Sequence, residues 1–133
     1  MNLFQSKGIL RYSKTENAGY KLVVEIDPAI PKFYKSLIPK YIKIQPQKYA
    51  PHISVVRKAY ELDLSCWMSR EGFAVSFFYC NVIRNCERYY WIDVFSIELE
   101  EIRKELGLPL HSRFIDPPKE YIHCFHITLG NIK

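Results

Sequence analysis

His52-Ile53-Ser54-Val55 and His126-Ile127-Thr128-Leu129 share one form: imidazole, apolar, hydroxyl, apolar. One unit lies near the middle of the 133-residue chain and the other near its end. Both sit in runs with strand-like alternation. A strand turns successive side chains to opposite faces. His52 and Ser54 therefore share one face of their strand, and His126 and Thr128 share one face of theirs. Ile53, Val55, Ile127 and Leu129 face the other way, where they can anchor each strand to a core.

Two imidazoles and two hydroxyls suit phosphodiester chemistry. An unperturbed histidine titrates near pH 6.5, so one ring can be neutral while another is protonated. The neutral ring accepts a proton from an attacking hydroxyl, and the protonated ring supplies one to the departing oxygen. Each positioned transfer is worth about 10²–10⁴-fold. The Ser54 and Thr128 hydroxyls can donate to the non-bridging phosphate oxygens, where charge grows in the transition state. The two rings titrate as a coupled pair, so sequence assigns neither role to one of them.

Around these units the chain reads as strand, strand, helix, strand, twice over. Residues 8–13 and Tyr20–Ile26 form a hairpin about the Asn17-Ala18-Gly19 turn. Asp27-Pro28 opens a helix with Ile30, Phe33, Tyr34, Leu37 and Ile38 at helical spacing, closed by Pro39. The first motif strand covers roughly 52–58. Residues 62–70 are ambiguous between helix and loop. Gly72–Cys80 and Arg88–Phe95 are aromatic-rich strands. Ser96 caps a second helix with the stripe Phe95, Leu99, Ile102 and Leu106, ended by Gly107. The last strand covers Tyr121–Leu129.

The length suggests one domain, residues 1–133. The charge is +5 with pI near 9, which favours anionic partners. No run of five like charges is present, so a polybasic nucleic-acid arm is excluded. The four cysteines, at 66, 80, 86 and 124, include no C-x-x-C pair. With no signal peptide or membrane span in view, reduced thiols and a cytoplasmic location are expected. Cys124 shares the strand phase of His126, but a small apolar filler is a better reading than a nucleophile. His123 and His126 lie on opposite strand faces and His111 in a Pro-flanked loop, so no metal and no other cofactor is expected.

At the two motifs the chain resembles the 2H phosphoesterase superfamily, whose members carry paired H-x-[ST]-x units. The resemblance implies an α+β fold of two pseudo-symmetric lobes with a cleft between them, here roughly residues 8–58 and 72–130. It implies His52, Ser54, His126 and Thr128 as the catalytic set. The small size, the ending Phe125-His126-Ile127-Thr128-Leu129-Gly130-Asn131 and the block Tyr20-Lys21-Leu22-Val23-Val24-Glu25-Ile26-Asp27 look most like the phage-encoded anti-CBASS branch. That branch destroys the cyclic di- and trinucleotide signals of bacterial immunity, such as 3′,3′-cGAMP, in the host cytoplasm. Superfamily relatives also act on RNA 2′,3′-cyclic phosphates and 2′,5′-oligonucleotides. A third reading is a module that binds nucleotides without cleaving them.

Substrate contacts beyond the phosphate are expected from aromatic faces, at about 1–3 kcal/mol per stacked base. Tyr12 and Trp67 are preferred among Tyr12, Tyr49, Trp67 and Trp91. Lys58 shares the alternation of His52 and Ser54 and could touch substrate at the strand end. Arg113 and Lys119 could meet phosphates from the loop before the second motif. The partner is then a cyclic oligonucleotide or a short RNA-like phosphodiester, without a membrane. Base preference and oligomeric state are not legible.

Overall fold

The computed structural model describes residues 2–45, 47–111 and 115–132. Seven strands and two helices follow in chain order: β1 (Leu3–Lys14), β2 (Tyr20–Glu25), α1 (Ala29–Ser36), β3 (Ile44–Gln45), β4 (His52–Ala59), β5 (Ala74–Asn85), β6 (Tyr89–Phe95), α2 (Ile97–Glu105) and β7 (Phe125–Ile132). The sheet runs β3-β7-β4-β2-β1-β5-β6, and β6 pairs back onto β7. All pairings are antiparallel. Six strands thus close a barrel, with β3 added at β7.

This closed barrel overturns the expected two-lobed α+β fold. Strands from the two halves of the chain interleave in one sheet: β1 pairs with β5, and β4 with β7. Residues 8–58 and 72–130 therefore do not form separate sheets with a cleft between them. The helices are only 8 and 9 residues long. Repeated element order says nothing about which strand edges meet, and here the edges satisfy one another by closure.

The interior is filled by side chains of alternate residues, as a small barrel requires. Leu22, Val24, Ile53, Phe77, Ile92 and Ile127 are all 0% exposed. Gly8 is needed where β1 crosses β2, because a Cβ there would lie 2.5 Å from the Glu25 carbonyl oxygen.

Helix α2 starts as the sequence suggests, capped by Ser96, while α1 starts one residue later than expected, with Pro28 and not Asp27 at its N-cap. The Ser96 hydroxyl accepts the Leu99 N–H at 3.2 Å, and the Asp27 carboxylate accepts the Ala29 N–H at 2.9 Å. The expected α2 stripe of Phe95, Leu99, Ile102 and Leu106 is buried. Helix α1 ends at Ser36, and it leaves Phe33 and Leu37 exposed while Tyr34 and Ile38 are buried. The last strand starts at Phe125, four residues later than expected. The N–H groups of Ile122 and His123 go instead to the buried Glu100 carboxylate on α2, at 2.9 and 3.1 Å.

Candidate active site

Strands β4 and β7 are neighbours, and Ile53 pairs with Ile127 across them. Both isoleucines point into the barrel. Antiparallel stepping by one residue sets His52 opposite Thr128 and Ser54 opposite His126, on the outer face. Cross-strand neighbours of this kind have Cβ atoms about 4.5–5.5 Å apart. Strand β6 extends the grid, with Trp91 beside Thr128 and Asp93 beside His126. One row is therefore His52, Thr128, Trp91, and the next is Ser54, His126, Asp93. The four motif residues are half-buried, as a recessed but reachable site requires.

A bulge in β4 changes what lies beyond Ser54. Leu22 faces Val56 while Val23 faces Ser54, so Val55 is an extra residue on the β4 side. Val55 and Val56 are both buried, and the alternation shifts by one. Arg57, not residue 56, then comes next on the outer face after Ser54. A second register shift separates the Leu22–Val56 and Tyr20–Ala59 pairs, and exposed Lys58 lies within it; Lys58 borders the larger of two cavities, as Ser54 does, with Nζ 5.5 Å from the Tyr60 ring centre. The doubled Val55-Val56 in an otherwise alternating strand was the available signal for Arg57.

The rings differ electrostatically. His52 Nδ1 lies 2.8 Å from the Ala50 carbonyl oxygen. A carbonyl only accepts, so Nδ1 donates, and in the neutral ring the lone pair is then on Nε2. Burial lowers the His126 pKa, and the Arg57 charge lowers it further; Asp93 opposes both, and His52 adds a small lowering. Asp93 is 3% exposed. It accepts the Trp91 Nε1–H at 3.0 Å and sits 3.6 Å from Arg84 Nε. A lone carboxylate inside the run Tyr89-Tyr90-Trp91-Ile92-Asp93-Val94-Phe95 was the sequence signal for it, since buried charges persist only with partners.

Two cavities meet at His126 and Arg57. The larger, about 340 Å³, lies on the Ser54 side and is bordered by Lys58, Arg103, His111 and His123. The smaller, about 280 Å³, lies on the Thr128 side and is bordered by Trp91, Tyr89 and Cys86. Burial, with the Arg103 charge added, lowers His123 to about 4.

The preferred stacking aromatics lie elsewhere. Tyr12 is 8% exposed, in register with Leu22 inside the barrel. Trp67 meets it edge-on at 4.8 Å and meets Tyr20 at 5.0 Å. Neither borders either cavity. Their rings close a barrel end, because the 62–73 segment folds back and is tied there by Arg11–Glu71 and Arg70–Glu105 ion pairs. Trp91 is the aromatic beside the motif residues. Tyr49 is exposed, with Lys21 and Lys48 over its ring. Lys119 is exposed and borders neither cavity, and Arg113 lies outside the described residues.

Compared with protein-family models, curated proteins and solved structures, the chain matches none. Among the described residues no helix is long and apolar enough to cross a membrane. No group of three or more His, Cys, Asp or Glu among them is arranged to hold a metal ion. None of the four cysteines, all among the described residues, is in a disulfide. Burial and the neighbouring Asp93 push the Cys124 thiol far up, which suits a filler and not a nucleophile.

Proposed function

We propose that the chain is a 2H-type phosphodiesterase that cleaves 3′–5′ linkages of small cyclic oligonucleotides without needing a metal. The observation that carries this reading is the shared outer face of His52, Ser54, His126 and Thr128 on adjacent strands. Such a grid offers two proton-transfer groups and two hydroxyl donors to one phosphate, with His52 beside, not lining, the two cavities that Ser54, Thr128 and His126 border.

The tautomer set by Ala50 favours His52 as base, since Nε2 is free to accept. His52 takes the proton of the 2′-hydroxyl beside the linkage. The 2′-oxygen then bonds to phosphorus, and the bond from phosphorus to the 5′-oxygen breaks. His126 gives its proton to that leaving oxygen. Asp93, its cross-strand neighbour, favours the protonated ring, and so does an arriving phosphate anion. Ser54 and Thr128 donate to the non-bridging oxygens. The product is a 2′,3′-cyclic phosphate, which water opens to a 3′-phosphate by the same pair acting in reverse roles. In a phage-infected bacterium this activity would remove the cyclic signals of CBASS immunity.

Incubation with 3′,3′-cGAMP in EDTA, followed by chromatography, tests the proposal. Cleavage is expected in the parent chain, with losses of at least about 10²-fold in His52→Ala and His126→Ala. Unchanged turnover in both variants would remove the mechanism. The same four groups address any phosphodiester, so 2′,3′-cyclic-ended RNA and 2′,5′-oligoadenylate belong in the panel. Tight binding with intact ligand recovered after hours would make the chain a binding module instead.

A further inference from the structure

The larger cavity is more basic than one reacting phosphate requires. Arg57, Lys58 and Arg103 border it together with His111, His123 and His126. Among the described residues no carboxylate borders it. Arg103 is held in place: Nη1 donates to the Val55 carbonyl at 2.6 Å, and Nε and Nη2 donate to the Pro109 carbonyl. Its charge is thus fixed at the cavity wall, with no carboxylate paired to it among the described residues. Among the described residues the buried His123 Nδ1 atom has no hydrogen-bond partner. A concave surface with one sign of charge and low-dielectric walls concentrates anions. Within the same concavity the cations oppose protonation of His123, which an anion would relieve.

We propose that this cavity holds a second, uncleaved phosphate of the substrate, so that the preferred substrate carries at least two phosphodiester groups. The inference rests on the phosphodiesterase reading and narrows its substrate. His126 and Arg57 border both cavities, so a phosphate reacting at His126 has this basic space directly beside it. A cyclic dinucleotide places a second phosphate within its own ring. A nucleoside 2′,3′-cyclic phosphate has only one and leaves the cavity empty.

The test compares 3′,3′-cGAMP with adenosine 2′,3′-cyclic phosphate in the parent chain, Lys58→Ala and Lys58→Arg. Lys58 is exposed, so truncation spares the core. The expected result is a roughly tenfold rise in KM for cGAMP in Lys58→Ala, the loss of one charge-assisted contact. The preference for cGAMP over the one-phosphate substrate falls by a similar factor, and Lys58→Arg restores most of it. An equal effect on both substrates, or none, overturns the inference while leaving the catalytic reading intact. Inorganic phosphate, followed through the His123 ring by NMR, supplies the arm that is independent of turnover. Saturable perturbation whose dependence on inorganic phosphate is lost once cGAMP is bound supports the proposal even where cleavage fails. No perturbation, or perturbation that cGAMP does not compete away, overturns it; the latter marks a site for free phosphate.

Discussion

Ile127→Ala and Thr128→Ala, one residue apart on β7, test the strand phase on which the whole site depends. Ile127 is 0% exposed and lies between Ile53 and Ile92, which are equally buried. Truncation to alanine removes about three carbon groups at roughly 0.8 kcal/mol each. A residual void of roughly 50 Å³ adds about 1 kcal/mol at about 24 cal/mol per Å³. The expected cost is therefore about 3–4 kcal/mol. Thr128 faces outward beside His52 and Trp91, so its truncation is expected to cost less than about 1 kcal/mol. Its loss shows instead in kcat, by roughly 10²-fold, as an absent donor to the developing charge. Equilibrium urea unfolding reads the first effect as a shifted midpoint with an unchanged slope. If Ile127→Ala costs under about 1 kcal/mol, or Thr128→Ala costs as much as Ile127→Ala, the phase is wrong. His126 and Thr128 would then not share an outer face with His52 and Ser54.

Asp93→Asn removes the charge that favours protonated His126, so the limb of the kcat/KM profile set by His126 moves to lower pH; an unmoved profile denies Asp93 a positioning role. In the parent chain that limb lies below the ordinary histidine value for kcat/KM and higher for kcat, where bound phosphate favours the imidazolium; coincident limbs would contradict His126 as the acid. His123 has a folded pKa of about 4 against about 6.5 unfolded, so the unfolded chain binds more protons between those values. Stability is therefore full above about pH 6.5 and falls as pH drops towards about 4, and His123→Gln should flatten part of that fall in urea midpoints measured across the window. Gly8→Ala puts a Cβ against backbone at 2.5 Å, and a loss of about 1–3 kcal/mol is expected; a neutral result would mean that β1 and β2 are not so closely apposed.

Local patterns carried the elements and the motif faces. Ser96 before Leu99, Ile102 and Leu106 announced α2, and alternation about Ile53 and Ile127 announced which side chains go in and which go out. Those features depend on covalent spacing and on neighbours within a few residues, so one chain suffices to read them. Residues 122 and 123 were harder, because Glu100, more than twenty positions away, takes their N–H groups. The place of Arg57 required the β4 bulge, whose register is defined only against β2. Asp93 joined His126 only through the β6–β7 pairing, and Tyr12 went to the interior with Leu22 and not to a ligand. The sequence alone determined that two imidazoles and two hydroxyls each share a strand face. Which edges pair was decided by the tertiary structure. A strand's hydrogen bonds carry no address in its own residues, so closure into one barrel, and with it the meeting of β4 and β7, arose only when all the edges were satisfied together.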